Sequence, residues 1–192
     1  MNASVNTREQ LLDYAQTMIG TRGCNGFSYR DLAAHVGVKT SSIHYYFPCK
    51  DDLVREAIER YSERALAQVY AIDPQLPAAD KLERYAALLE GVICSGKQLC
   101  IGGMLASDLD SLPENVQCVL RRFFEGMEAW LTQVLKEGVA QGSLQVCGDP
   151  QRVARAMFAT AQGAMLAARV FQQPGRISEA LGSLYLQCDK VA

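Results

Sequence analysis

The sequence predicts an all-α protein: a small N-terminal unit of three helices followed by a larger helical unit. Three observations carry that prediction. Apolar residues recur at helical spacing along nearly the whole chain, and Gly and Pro fall at the ends of those segments. No alternating apolar–polar stretch runs long enough to compete. With 192 residues, 49% of them hydrophobic, the chain is long enough to bury a core.

The elements follow in order. "NTREQLLDYAQTMIGTRG" opens with Thr7 and Gln10 at capping-box spacing, lines Leu11, Leu12, Ala15, Met18 and Ile19 on one face, and ends at Gly23. Ser28 and Asp31 start a second, short helix through Val36, and a third runs from Thr40 to Tyr46, with Pro48 breaking the chain after it. A longer helix runs from Lys50 to about Tyr70 and stops before "DPQLP". Further helices are expected over Ala78–Ser95, Pro113–Gln141, Pro150–Gln172 and Pro174–Cys188, with "CIGGML" a loop or broken helix. The organisation predicted is a unit of residues 1–49 and a second of residues 50–192.

Composition narrows the function classes. A net charge of −2, with seven Lys/Arg and seven Asp/Glu in residues 1–60, neither advertises nor excludes a nucleic-acid partner. No apolar run approaches the roughly 20 residues of a membrane span, and "MNASVNTREQ" lacks the apolar core of a secretory signal. Seven cysteines form an odd set with no CxxC pair, which predicts reduced thiols in the cytoplasm and no structural metal. Both histidines, His35 and His44, fall in the first fifty residues. The rest of the chain has no imidazole to serve as general base or ligand, which argues against an enzyme and calls for no cofactor.

The N-terminal unit carries the sharpest pattern. Two short helices that cross steeply need a small residue at their approach, a tight turn, and apolar plugs on either side. Ala33 supplies the first, Gly37 the second, and Leu32, Val36, Val38 and Ile43 the third. That spacing is a helix-turn-helix, whose second helix lies in the DNA major groove. With Ile43 and Phe47 turned inward, Thr40, Ser41, Ser42, His44 and Tyr45 remain on the outer surface, flanked by Lys39 and Tyr46. Hydroxyls and imidazole bond base edges or phosphates. Lys50, opening the next helix, would join the backbone N–H groups there in holding a phosphate. The same pattern also fits two packed helices with a solvated polar face.

The run "FSYRDLAAHVGVKTSSIHYYFPCKDDLV" resembles the DNA-binding signature of TetR-type transcriptional regulators, over about residues 7–60. In these proteins an aromatic run such as "YYF" ends the recognition helix and a lysine opens the next; His44 stands where many members have tyrosine. A weaker resemblance continues through "LCIGGMLASDLDSLPENV" and "WLTQVLKEGVAQGSL". The resemblance implies an all-α homodimer, usually a repressor, that leaves a double-stranded DNA operator when a small molecule or reactive species acts on its C-terminal domain. It places the dimer seam on the last two helices, residues 150–188, where alanine density and Gly163 suit close packing.

For the effector, Tyr85, Leu89, Met104, Phe123, Met127, Trp130 and Phe158 belong to an apolar, ring-rich set. Most of that set is core by its periodicity, yet methionines and rigid rings also line adaptable pockets. An apolar or aromatic effector fits it better than a sugar or metal ion. A competing switch is covalent: Cys100, beside Ile101, Gly102 and Gly103 and three residues after Lys97, would sense oxidants or electrophiles if its thiol is exposed. A third class, a helical enzyme or carrier, lacks a catalytic constellation.

Overall fold

The computed structural model describes residues 3–96 and 98–187; Lys97 and Cys188, which the sequence reading invoked, lie outside them. Among the described residues the helices are α1 (Ala3–Arg22), α2 (Tyr29–Val36), α3 (Thr40–Tyr46), α4 (Lys50–Tyr70), α5 (Ala78–Cys94), α6 (Ile101–Ala106), α7 (Glu114–Ala140), α8 (Pro150–Phe171) and α9 (Arg176–Gly182). Two short strands, β1 (Leu144–Gln145) and β2 (Leu186–Gln187), pair antiparallel with Leu144 opposite Gln187. The all-α class is the observed one.

Two expectations about local structure need correction, and a third takes definite form. Helix α1 begins at Ala3, so Thr7 lies inside it rather than at its N-cap, because no Gly or Pro precedes Thr7 to stop the helix. The last helix ends at Gly182 rather than running to Cys188; glycine is a poor helix former, and Leu186–Gln187 instead find a ladder partner in Leu144–Gln145. The "CIGGML" segment holds a six-residue helix, α6. A Cβ on Gly102 there would stand 2.5 Å from the Phe123 ring, so glycine is what lets that ring pack against the helix.

The chain divides into two compact units. One comprises residues up to Arg64 together with Cys100–Phe123, the other Ala65–Leu99 with residues from Phe124 onward. In the first, Leu11, Leu12, Ala15 and Ile19 of α1 meet a core shared by Leu32, Ile43, Phe47, Leu53 and Ile58, all essentially without solvent contact. A polar seam fixes α1 against α4: Arg60 pairs with Glu9 (2.6 Å) and Asp13 (3.3 Å), Arg8 with Glu56, and Gln16 donates to the Ala57 carbonyl at 2.8 Å. Partly exposed pairs of this kind contribute about 1 kcal/mol or less each, so the apolar face holds the helices together and the ions set their register.

In the second unit, α9 packs on α5 and α8. Its core takes Leu82 and Tyr85 from α5, Met127, Leu131 and Leu135 from α7, and Met157, Phe158, Ala161, Met165 and Ala168 from α8. One cation is nearly enclosed: Lys81 donates to Glu137 at 2.7 Å, which also accepts from Gln133. The Lys81 and Gln133 hydrogen bonds hold the Glu137 carboxyl below its ordinary pKa.

Candidate nucleic-acid interface

Local chemistry sets both ends of α2. The Asp31 carboxylate accepts from the Ser28 hydroxyl and backbone N–H, each at 2.7 Å, and those bonds lower its pKa. At the other end Gly37 takes φ +76 and donates to the Ala33 carbonyl at 3.0 Å, a left-handed cap that a side chain would strain. Gly37 thus turns the chain into α3 at the place expected. Leu32, Ala33 and Ile43 are buried beneath the turn, with Val36 and Val38 half-buried beside them.

What α3 leaves outside is the predicted polar set. Lys39, Thr40, Ser41, His44 and Tyr45 are exposed, while Ser42 and Tyr46 are half-buried. Tyr45 is 82% exposed, its ring edge-on to Tyr46 at 5.2 Å. A large aromatic held in water on a seven-residue helix gains nothing from folding. Its polar tip and flat faces suit a partner with both edges and stacking surfaces.

Charge sorts the cations of this unit. Arg8, Arg55 and Arg60 are engaged in ion pairs within it. Lys50 is engaged differently: its ammonium donates to the carbonyls of Cys24 and Phe27, both at 2.6 Å, and lies 4.3 Å from the Phe27 ring centroid. It fastens the start of α4 to the α1–α2 connection. Arg22, Arg30 and Lys39 stay exposed. Sequence reasoning singled out Lys50 and Lys39 and did not consider Arg22 and Arg30, which are exposed like Lys39. A count of seven against seven hides which charges are already paired, and only the fold separates them.

The turn from α3 into α4 is held by side chains. The Tyr29 hydroxyl lies 2.9 Å from the Phe47 carbonyl and 2.6 Å from that of Cys49. Burial, then the neighbouring Cys49, Asp52 and Asp51, raise the Tyr29 pKa well above its ordinary value, so the group stays a donor. His44 Nδ1 lies 3.2 Å from the Pro48 carbonyl, and the Cys49 thiol donates to Asp52 at 3.0 Å. His35 stacks flat on Tyr14 at 3.5 Å, a packing role.

The effector candidates are mostly buried. Tyr85 and Trp130 lie with ring centroids 5.6 Å apart, Phe158 meets Phe124 edge-on, and Met127 is enclosed with them in the second unit, while Leu89 is half-buried. Phe123, edge-on to Tyr61, and the half-buried Met104 belong to the first unit. An open groove of about 550 Å³ on the second unit is lined by Glu125, Glu128, Lys136, Glu137 and Arg155 among others, a charged lining unlike the apolar set. Cys100 is only 4% exposed, which removes the solvent access that a redox or electrophile sensor at that thiol needs. The thiol-switch alternative is therefore not favoured.

A glycine-turned helix pair with a hydroxyl- and aromatic-rich second helix, on an otherwise all-α chain, defines a helix-turn-helix DNA-binding regulator. Residues 11–57 match the family described as "Bacterial regulatory proteins, tetR family", and residues 79–184 match "Tetracyclin repressor-like, C-terminal domain". The chain belongs to the TetR family of transcriptional regulators. A crystal structure of a TetR-family transcriptional regulator from Agrobacterium tumefaciens is 32% identical with a TM-score of 0.89, covering 95% of this chain and 100% of that one. A TetR transcriptional regulator from Legionella pneumophila is 30% identical with a TM-score of 0.83, over 95% and 97%. Among curated proteins, the HTH-type transcriptional repressor KstR2 of Mycolicibacterium smegmatis is 28% identical over 93% of this chain and 86% of its own.

Proposed function

We propose that the chain is a homodimeric repressor whose two α3 helices read the half-sites of a palindromic operator. On this reading residues 1–49 form the reading head, and residues 50–192 dimerise and receive the signal. The observation that carries it is Tyr45 with Lys39, Thr40 and Ser41: an exposed polar and aromatic face backed by a fully buried Ile43 and Phe47. Regulators of this family bind DNA and act as dimers, and the similar KstR2 is a repressor by name. Lys50 is a tether in this scheme, and Arg22, Arg30 and Lys39 supply the phosphate contacts.

The dimer seam falls on α8. Ala156, Ala159, Gly163, Leu166 and Val170 recur at three- and four-residue spacing along one exposed side, opposite the face of Met157, Phe158, Ala161 and Met165 that enters the chain's own core. Leu166 and Val170, 54% and 75% exposed, are costly to leave in water and pack well on a second copy. The effector is a small apolar or aromatic molecule received beside Tyr85, Leu89, Met127, Trp130 and Phe158. It acts by differential affinity for two conformations of the regulator. Both histidines are committed in the reading head, one stacked and one bonded to a carbonyl, which favours a regulator over a catalyst.

The test is selection of random duplexes with the purified protein, followed by binding titrations on the enriched sequence. A palindrome with half-site centres about 34 Å apart supports the reading. Enrichment of no sequence refutes it. Release of that duplex by non-reactive aromatic compounds supports the effector class.

A further inference from the structure

We propose that Tyr29 and His44 are positioning residues of the reading head, which hold the turn between α3 and α4 by three consecutive carbonyls. The proposal rests on α3 being the recognition helix. The turn has little structure of its own. Phe47 leaves α3 in an extended conformation, with its N–H bonded back to the Ile43 carbonyl, and Pro48 brings no N–H at all. The carbonyls of Phe47, Pro48 and Cys49 are instead met in sequence by side chains. The single Tyr29 O–H, from α2, lies within reach of the first and third and is shared between them, closer to the third, and His44 Nδ1, from α3, serves the second. The two rings meet at 4.9 Å and 63°, so each braces the other.

Two consequences follow from the chemistry. A recognition helix reads bases only when its side chains stand within about 0.5 Å of their productive positions, and this turn fixes where Tyr45 and Tyr46 stand relative to the start of α4. His44 also receives a different role from the one its sequence position suggests. A carbonyl oxygen only accepts, so His44 Nδ1–H is the donor to Pro48 and that edge of the ring is committed to the turn. His44 therefore contributes to binding through the turn.

The experiment uses the full chain and the duplex enriched by the wild-type protein, with a scrambled duplex alongside. Tyr29→Phe and His44→Ala each bind the enriched duplex about tenfold more weakly, the loss expected from one misplaced set of hydrogen bonds, and bind the scrambled duplex within roughly twofold of wild type. His44→Asn, whose amide can donate to the same carbonyl, recovers most of the loss. The double variant loses less than the product of the two singles, because both residues hold one turn. Nitrogen-15 shifts of the His44 ring place the proton on Nδ1 in the free protein. Equal weakening on both duplexes in step with a lowered melting temperature would make the pair a general stability element and overturn the proposal. So would a His44→Ala protein that enriches a different base at one position, since that makes His44 a reader. Wild-type enrichment with full-strength binding by both single variants overturns the proposal alone, whereas no enrichment by wild type removes the recognition-helix reading and the proposal with it.

Discussion

Helices α3 and α8 both bury one side and expose another, and their exposed sides differ in kind. On α3 the outer residues are Thr40, Ser41, His44 and Tyr45, all able to hydrogen-bond; on α8, past the exposed Gln151, Arg152 and Arg155 of its first turns, they include Ala156, Ala159, Gly163, Leu166 and Val170, none of which can do so through a side chain. The inner sides are alike: Ile43 on the one, Met157, Phe158 and Ala161 on the other. A buried face records only that a helix folds onto its neighbours. The exposed face bears on what the helix meets afterwards, which on the proposed reading is a polar, charged surface for α3 and another hydrocarbon surface for α8.

The largest effect tests the two sides of α8 against each other. Gly163 is exposed, with open space around the Cβ it lacks, whereas Ala164 is 8% exposed and faces the core. Gly163→Glu should give a folded monomer that no longer binds operator tightly. Ala164→Glu should instead lose about 4 kcal/mol or more of stability, because an unpaired carboxylate enters the core. Sedimentation and thermal melting separate the outcomes; a folded Ala164→Glu monomer would mean the seam involves the other side.

Next come the cations of the reading head. Lys50→Ala should cost about 1.5–3 kcal/mol of stability, since two carbonyls lose a charged donor, yet leave the salt dependence of DNA binding unchanged. Arg30→Ala or Lys39→Ala should do the reverse, flattening the salt slope by about one unit with little change in melting. A flattened slope for Lys50→Ala would restore it as a phosphate contact. Tyr45→Ala should weaken binding to the enriched duplex by about 1–3 kcal/mol without altering the melting temperature, as loss of a surface contact does. An unchanged affinity there would move the reading surface off α3.

The smallest effect concerns acid. Glu137 has a folded-state pKa below its unfolded value, so its contribution is present above the ordinary glutamate range and is lost as pH falls through the lowered folded value. Glu137→Gln should show a shallower loss of stability than wild type below about pH 4.5, the ordinary value for the group. Parallel acid curves for the two proteins would assign the acid sensitivity elsewhere.

Much of this was legible before any coordinates. The bounds of α2, α3 and α4 follow from Ser28, Gly37 and Pro48, residues whose backbone preferences are local and act in any context. The ends of α1 and α9 did not follow, because helix extension over residues 3–6 and the pairing of Leu186–Gln187 depend on weak propensities and on a distant partner. Lys50 illustrates the same limit. Its place at a helix start reads as a phosphate site, and only the approach of Cys24 and Phe27, more than twenty residues away, shows where two of its three N–H donors go.

By itself, the sequence determined the helical class, the turn at Gly37, the polar character of α3 and the apolar excess of α8, since each is written in residue type and spacing within one segment. Tertiary structure alone decided which of the described cations are ion-paired or hydrogen-bonded to carbonyls, that Tyr29 and His44 close on the carbonyls of Phe47, Pro48 and Cys49, that Cys100 is buried, and that Gly163 rather than Ala164 faces outward. Those are facts about contact and solvent exposure. Both depend on what the rest of the chain brings within a few ångströms of a residue, and no local pattern carries that information.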